Sequence, residues 1–180
     1  MQAVVSALDE ASQATVKHLW DGIADEFGIH MPFTQPVPHF TFHVAARYDA
    51  DRLDRAIATV AAKHPPFTVR AAGLGLFTGK KIVAHVPLVR NQALNALHRD
   101  LWEALAGAGT DAVQHFDPGL WVPHVTLAYK GLTADVLPSV VRWLADRSFA
   151  WEMTVDHVGV IAPTSDPSRE AVDHVHPLRG

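Results

Sequence analysis

Pro123-His124-Val125-Thr126-Leu127 and the earlier Pro38-His39-Phe40-Thr41-Phe42 are two versions of one pattern. Each sets a histidine two residues before a threonine inside an apolar run. On an extended strand, residues i and i+2 project to the same side. His124 and Thr126 therefore share one face, and Val125 and Leu127 the other. His39 and Thr41, opposed to Phe40 and Phe42, repeat the arrangement. Both segments read as strands with a buried apolar side and a side carrying an imidazole and a hydroxyl. The fold turns on whether the two polar faces meet.

Around the two stretches the same order of elements occurs twice. Ala3 to Leu8 is a short apolar run that predicts a strand. Val16, Leu19, Trp20, Ile23 and Phe27 recur at helical spacing up to Gly28, a stop signal. Pro32, Pro36 and Pro38 force an extended connection into the first His-x-Thr strand, which runs to about Ala46. Asp49 to Asp51 cap a second helix with Leu53, Ile57 and Val60 on one face. Phe67 to Ala72 and Leu76-Phe77 are strand-like, and Thr78-Gly79-Lys80-Lys81 reads as a hairpin turn into Ile82 to Val89. Asn91 then caps a helix with Leu94, Leu97, Leu101, Trp102 and Leu105 in one stripe. After a loop over Asp111 to Gly119, Trp121 to Tyr129 carries the second His-x-Thr strand. Thr133 is placed to cap a fourth helix with Val136, Val140, Val141 and Leu144 inside. Phe149 to Ile161 is a long strand region, Pro163 to Ser168 a turn, and Ala171 to Leu178 a final strand.

Strand, helix, His-x-Thr strand, helix, strand thus appears twice, over approximate halves 1–79 and 80–180 of a single domain. That predicts an α+β fold of two pseudo-symmetric lobes. Each lobe is an antiparallel-type sheet with helices on its outer face, and the two enclose a central cleft. A duplicated lobe carries its middle strands to equivalent places beside the pseudo-twofold axis, where their polar faces line one groove.

Composition bounds the chemistry. The 180 residues suffice for one well-packed core, and a net charge of -4 argues against a dedicated binder of long nucleic acid. There is no cysteine, which removes disulfides, thiolate metal sites and cysteine nucleophiles. No leader of the secretory type and no apolar run of membrane-spanning length is evident, so a cytoplasmic, monomeric protein without membrane contact is expected.

Two imidazoles across a groove suit paired acid–base catalysis, one neutral histidine accepting a proton and the other, protonated, giving one. An unperturbed pKa of about 6.5 makes both states accessible near neutrality. Each threonine hydroxyl can donate to an anionic oxygen. Two such pairs match a phosphodiester, with attacking and leaving oxygens in line and the non-bridging oxygens on the hydroxyls. No metal or other cofactor is required by this arrangement.

The two pentapeptides resemble the paired His-x-Thr/Ser signatures of the 2H phosphoesterase superfamily, within it the bacterial 2′-5′ RNA ligase-like group. The resemblance extends over nearly the full length, from the opening strand and helix (Val4 to Gly28) through the spacing of the motifs to the closing hairpin. It implies a bilobal fold with the four motif residues in a central cleft. It also implies metal-independent hydrolysis of 2′,3′-cyclic phosphates of nucleotides or RNA ends, or of related 2′-5′ phosphodiesters. His39 and His124 correspond to the catalytic histidines, and Thr41 and Thr126 to the phosphate-binding hydroxyls. A phosphate-binding module without turnover, and an ATP-independent 2′-5′ RNA ligase, are the alternatives.

The string His-x-Thr is weak by itself in a chain with twelve histidines. Its shared setting, with proline before, apolar residues interleaved and a helix after, carries the reading. His43 falls on the His39 face if the first strand is regular, and is taken as a groove-wall or surface residue in preference to a metal ligand. His174-x-His176 has strand metal-pair spacing but reads as a solvated face. Tyr129, at odd parity to His124, should face the helices. Phe33, Phe77, Phe116 and Trp121 can border the groove, with core or loop-plug roles expected. Trp20, Trp102 and Trp143 read as core, and Lys80, Lys81 and Lys130 as solvated turns.

Overall fold

Local chemistry sets the helix ends. The computed structural model describes residues 1–31, 37–162 and 172–180. The turn expected over Pro163 to Ser168, and Phe33, lie outside them. Helix α1 (Glu10–Phe27) begins at Asp9, whose carboxylate accepts from the Ser12 N–H at 2.9 Å, and ends at Gly28 with φ 64°. Gly28 can hold that left-handed backbone without a Cβ penalty. Asp49 and Asn91 cap α2 (Ala50–Ala61) and α3 (Gln92–Ala104) in the same manner, from Arg52 and Leu94. Helix α4 (Leu137–Ala145) starts later than Thr133 suggests, with Val136 at its cap. Pro138 lacks an N–H and is tolerated only in a helix's first turn, so the helix begins beside it.

Two antiparallel sheets carry the motifs. In the first, β1 (Gln2–Ala7) lies between β2 (His39–Ala45) and β10 (His157–Ile161), with β11 (Asp173–Pro177) outside β10. In the second, β6 (Val83–Pro87) lies between β8 (His124–Ala128) and β5 (Gly75–Phe77). A third pairing joins β4 (Phe67–Ala71) to β9 (Trp151–Val155), and Ala71 bridges on to Leu88 just past β6. Arg47–Tyr48 (β3) and Gly109–Thr110 (β7) form a two-residue ladder not expected from the sequence. Each motif sheet draws strands from both halves of the chain, and the strand region over Phe149 to Ile161 breaks at Asp156 into β9 and β10, which serve different sheets.

The two motif strands occupy matching places. Val5 is opposite Thr41 and Ala7 opposite His39; His85 is opposite Thr126 and Pro87 opposite His124. Both ladders shift register at the same point, between Val4 and Val5 in one and between Ala84 and His85 in the other. The extra residue is Phe42 on β2 and Leu127 on β8. A bulge of one residue inverts the alternation beyond it. The burial pattern follows: Phe42 and His43 are buried in succession, as are Leu127 and Ala128.

Each motif strand is also the edge of its sheet, and β2 lies against β8. Their outward carbonyls would be exposed pairing groups. Here they are occupied: the Trp121 indole N–H donates to the Thr41 carbonyl at 2.8 Å, and the Trp20 indole to the Thr126 carbonyl at 3.0 Å. Trp20 belongs to the first half of the chain and Thr126 to the second; Trp121 and Thr41 reverse that relation. The remaining core is a single cluster of apolar side chains running from Val4 to Leu178.

Candidate active site

His39 and His124 are held alike. Nδ1 of His39 lies 2.7 Å from the carbonyl of Val37, and Nδ1 of His124 lies 2.7 Å from that of Val122. A carbonyl only accepts, so each Nδ1 carries a hydrogen and donates it. In the neutral ring this leaves Nε2 with a free lone pair, aimed away from the tether. The tethering carbonyl lies two residues before each histidine. The proline between them in both motifs, Pro38 and Pro123, fixes the backbone that presents it.

Burial depresses the pKa of both rings, offset in each by the bond to its carbonyl; a charge on His124 lowers that of His39 further. The two imidazoles thus sense one another across the junction of β2 and β8. Thr41 and Thr126 are half-buried on the same faces as their histidines. Neither hydroxyl bonds another described residue, while both carbonyls are taken by the indoles, so the side chains remain available. The four predicted site residues therefore stand in two matched pairs on neighbouring strands.

Three other predictions change. The bulge at Phe42 turns His43 away from the His39 face: it is 3 % exposed, bonds the Tyr48 hydroxyl and packs on Trp102 at 4.9 Å. Burial pushes its pKa down to about 4. It is a core residue, not a groove wall. The bulge at Leu127 brings Tyr129 back toward the His124 side, where it is half-buried beside Lys130. His174 and His176 both bond Oδ1 of Asp54, at 3.0 and 2.9 Å, tying β11 to α2. Among the described residues no cluster of three histidines, cysteines or carboxylates has metal-binding arrangement.

Sequence reasoning missed His85. It occupies on β6 the place that Val5 holds on β1, opposite the motif threonine. Its ring meets His124 edge-on, with centroids 5.0 Å apart, and stacks on Phe77 at 4.0 Å; Phe77 also meets His124 edge-on at 4.8 Å. Burial, then the charge of His124, pushes the His85 pKa down to about 4. It is a neutral wedge behind His124. Gly75 makes room for it, since a Cβ there would stand 2.3 Å from the His85 Nε2. A glycine opposite a histidine was the available signal. His98 was also missed: its Nε2–H is shared between the carbonyls of Phe42 and Phe116, and its ring stacks on Trp121 at 3.7 Å.

Comparison with known proteins bears on this geometry. A family model described as the 2′-5′ RNA ligase superfamily matches residues 8–167. An RNA 2′,3′-cyclic phosphodiesterase of Geobacillus stearothermophilus is 30% identical over 136 residues. That alignment covers 70% of this chain and 40% of the relative, so the chain spans less than half of that protein's length. The crystal structure of TT0787 of Thermus thermophilus superposes with a TM-score of 0.68 at 19% identity, covering 99% of this chain and 98% of that one. E. coli LigT complexed with 3′-AMP superposes at 0.59 and 16% identity, covering 99% and 94%. At these identities the structural likeness concerns the fold.

Proposed function

The chain belongs to the 2′-5′ RNA ligase superfamily, and on that premise we propose that it is a metal-independent phosphodiesterase opening the 2′,3′-cyclic phosphates of nucleotides or RNA ends. The reading takes residues 1–180 as one bilobal domain whose halves each supply a histidine and a threonine. The observation that carries it is the matched tethering of His39 and His124, each with Nδ1 on a carbonyl at 2.7 Å. Tethering leaves both Nε2 atoms free for proton transfer and fixes their direction.

In the proposed reaction one neutral imidazole takes a proton from water through Nε2 as the water oxygen bonds phosphorus. The opposite phosphorus–oxygen bond breaks, and the protonated partner imidazole gives its proton to the departing ribose oxygen. The product is a phosphomonoester beside a free hydroxyl. The hydroxyls of Thr41 and Thr126 donate to the non-bridging oxygens as charge builds on them. With a hydroxyl of a second RNA end in place of water, the same groups open the cyclic phosphate to a 2′-5′ phosphodiester, the departing ribose oxygen again taking the proton, which is the ligase alternative named above.

His39→Ala and His124→Ala are each expected to remove most turnover of a nucleoside 2′,3′-cyclic phosphate, followed by phosphorus NMR, with folding checked by circular dichroism. Chelator should leave wild-type turnover intact. A requirement for added divalent metal, or activity that survives both substitutions, overturns the mechanism. Binding without product in the wild type identifies a phosphate-binding module instead.

A further inference from the structure

The two motif strands occupy matching places, but what faces them does not match. Opposite Thr41 on β1 stands Val5, and opposite Thr126 on β6 stands His85. Among the described residues no aromatic ring meets His39, whereas two meet His124. Phe77 lies 4.8 Å from it with the ring planes at 83°, and His85 lies 5.0 Å from it at 63°. Those two rings stack on one another at 4.0 Å, with their planes 20° apart. His124 thus stands crosswise against a two-ring stack that its counterpart lacks.

A tether alone does not hold an imidazole still. The bond from Nδ1 to the Val122 carbonyl fixes one corner of the His124 ring. The ring can still swing about that bond and carry Nε2 with it. A group that transfers a proton needs its direction held within roughly 10–20°, by neighbours whose own rotamers are locked. His85 is such a neighbour. It is buried, with Phe77 stacked on its ring and the backbone of Gly75 against its Nε2. Gly75 is its direct partner across the β5–β6 ladder, and a side chain there would take the space of the ring. Its nearest hydrogen-bond acceptor, the Val83 carbonyl, is 3.5 Å from Nδ1, too long to fix the ring. Packing therefore sets the His85 rotamer. With its pKa pushed down to about 4, first by burial, the ring stays uncharged beside a protonated His124.

We propose that His85 is a positioning residue for the reaction: stacked on Phe77 and seated over Gly75, its ring holds the His124 imidazole at the angle that aims Nε2 into the site. This rests on the phosphodiesterase reading above. His85 acts through His124 and not on the substrate, so its loss disturbs one catalytic histidine and spares the other. Gly75 belongs to the same arrangement, because only a residue without a Cβ leaves room for the ring.

The test follows turnover of cytidine 2′,3′-cyclic phosphate in the wild type, His85→Ala, His85→Gln and Gly75→Ala. Circular dichroism checks folding, and heteronuclear NMR of the imidazole nitrogens reports the tautomers. In His85→Ala, kcat should fall roughly ten- to a hundred-fold while KM stays near its wild-type value. Gln supplies a flat, uncharged end group of similar reach, and His85→Gln should recover kcat to within about three-fold of the wild type. Gly75→Ala displaces the ring without removing it, and should lower kcat in the same way. Added to His85→Ala it should cost nothing further, since the two changes break one contact. His124 in the wild type should show a single Nδ1–H tautomer, and in His85→Ala a mixture, with the His39 signals unmoved. Should His85→Ala fail to fold, Gly75→Ala carries both readouts. Wild-type kcat in either folded variant overturns the proposal. So does His85→Gln no better than His85→Ala, full additivity of the two changes, or equal disturbance of His39 and His124. If the wild type opens no cyclic phosphate, the phosphodiesterase reading fails. The NMR signals then decide the role of His85 by themselves: a change confined to His124 supports it, and no change or an equal change at His39 overturns it.

Discussion

At the scale of single residues, burial and pairing do the chemistry together. His39 and His124 must hold one proton between them for one to accept and the other to donate. Burial lowers both pKa values, and the charge of His124 adds to the effect on His39. The two titrations belong to the pair and appear as macroscopic limbs of a bell. Activity rises with pH as the first imidazole is freed and falls as the second loses its proton. Lowering both values moves both limbs acidward. The optimum of kcat/KM is therefore expected below the ordinary imidazole value of about 6.5. A profile from pH 4 to 9 on a cyclic nucleotide checks this, and an optimum at or above 7.5 would contradict the acidward shift of the buried pair. The four motif residues were legible because period-two alternation places i and i+2 together whatever the rest of the chain does. His85 was not, because its role depends on which strand β6 pairs with and on the empty space above Gly75.

At the scale of elements, one inserted residue decides several side chains. Strict alternation put His43 with His39 and Tyr129 with the helices. The bulges at Phe42 and Leu127 reverse both, sending His43 to Tyr48 and Trp102 and bringing Tyr129 out to Lys130. The apolar pattern Phe-Thr-Phe-His does not announce where a strand gains a residue, since a bulge is a property of the pair. Edge protection has the same character. Trp20 and Trp121 read as ordinary core aromatics, yet each uses its indole N–H to close the motif carbonyl of the other half. Trp121→Phe keeps the ring, itself 2 % exposed, and removes that donor, leaving the partly buried Thr41 carbonyl unpaired. The expected cost is about 1–3 kcal/mol in urea unfolding. A merely packed Trp121 would lose stability alone. An indole that positions the motif also lowers kcat on a cyclic nucleotide while KM stays near its wild-type value. Unchanged kcat in a folded variant would remove the positioning role.

At the scale of the molecule, the histidines act on stability as well as on chemistry. The count of twelve is visible in the sequence, but their division between surface and interior depends on the fold. His43, His85 and His98 are each no more than 3 % exposed, and burial pushes all three pKa values down to about 4. In the unfolded chain they titrate near 6.5. Between those values the unfolded state binds more protons than the folded state, so stability increases with pH across that window. It is fully present above about 6.5 and lost as pH falls toward 4, each ring contributing on the order of 1–3 kcal/mol. His39 and His124, shifted in the same direction, add to the slope. Asp54, held below the usual carboxylate range by bonds from His176 and His174, adds a further loss at more acid pH, when its own protonation breaks both bonds. Urea midpoints should thus be flat from pH 8 to 7 and fall steadily from 6.5 to 4.5. His43→Gln retains a side chain able to bond Tyr48 but cannot titrate, and its midpoint should fall less over the same interval. A wild-type midpoint constant down to pH 5 would mean that these rings take up protons in the fold as readily as in the unfolded chain, which would contradict their burial.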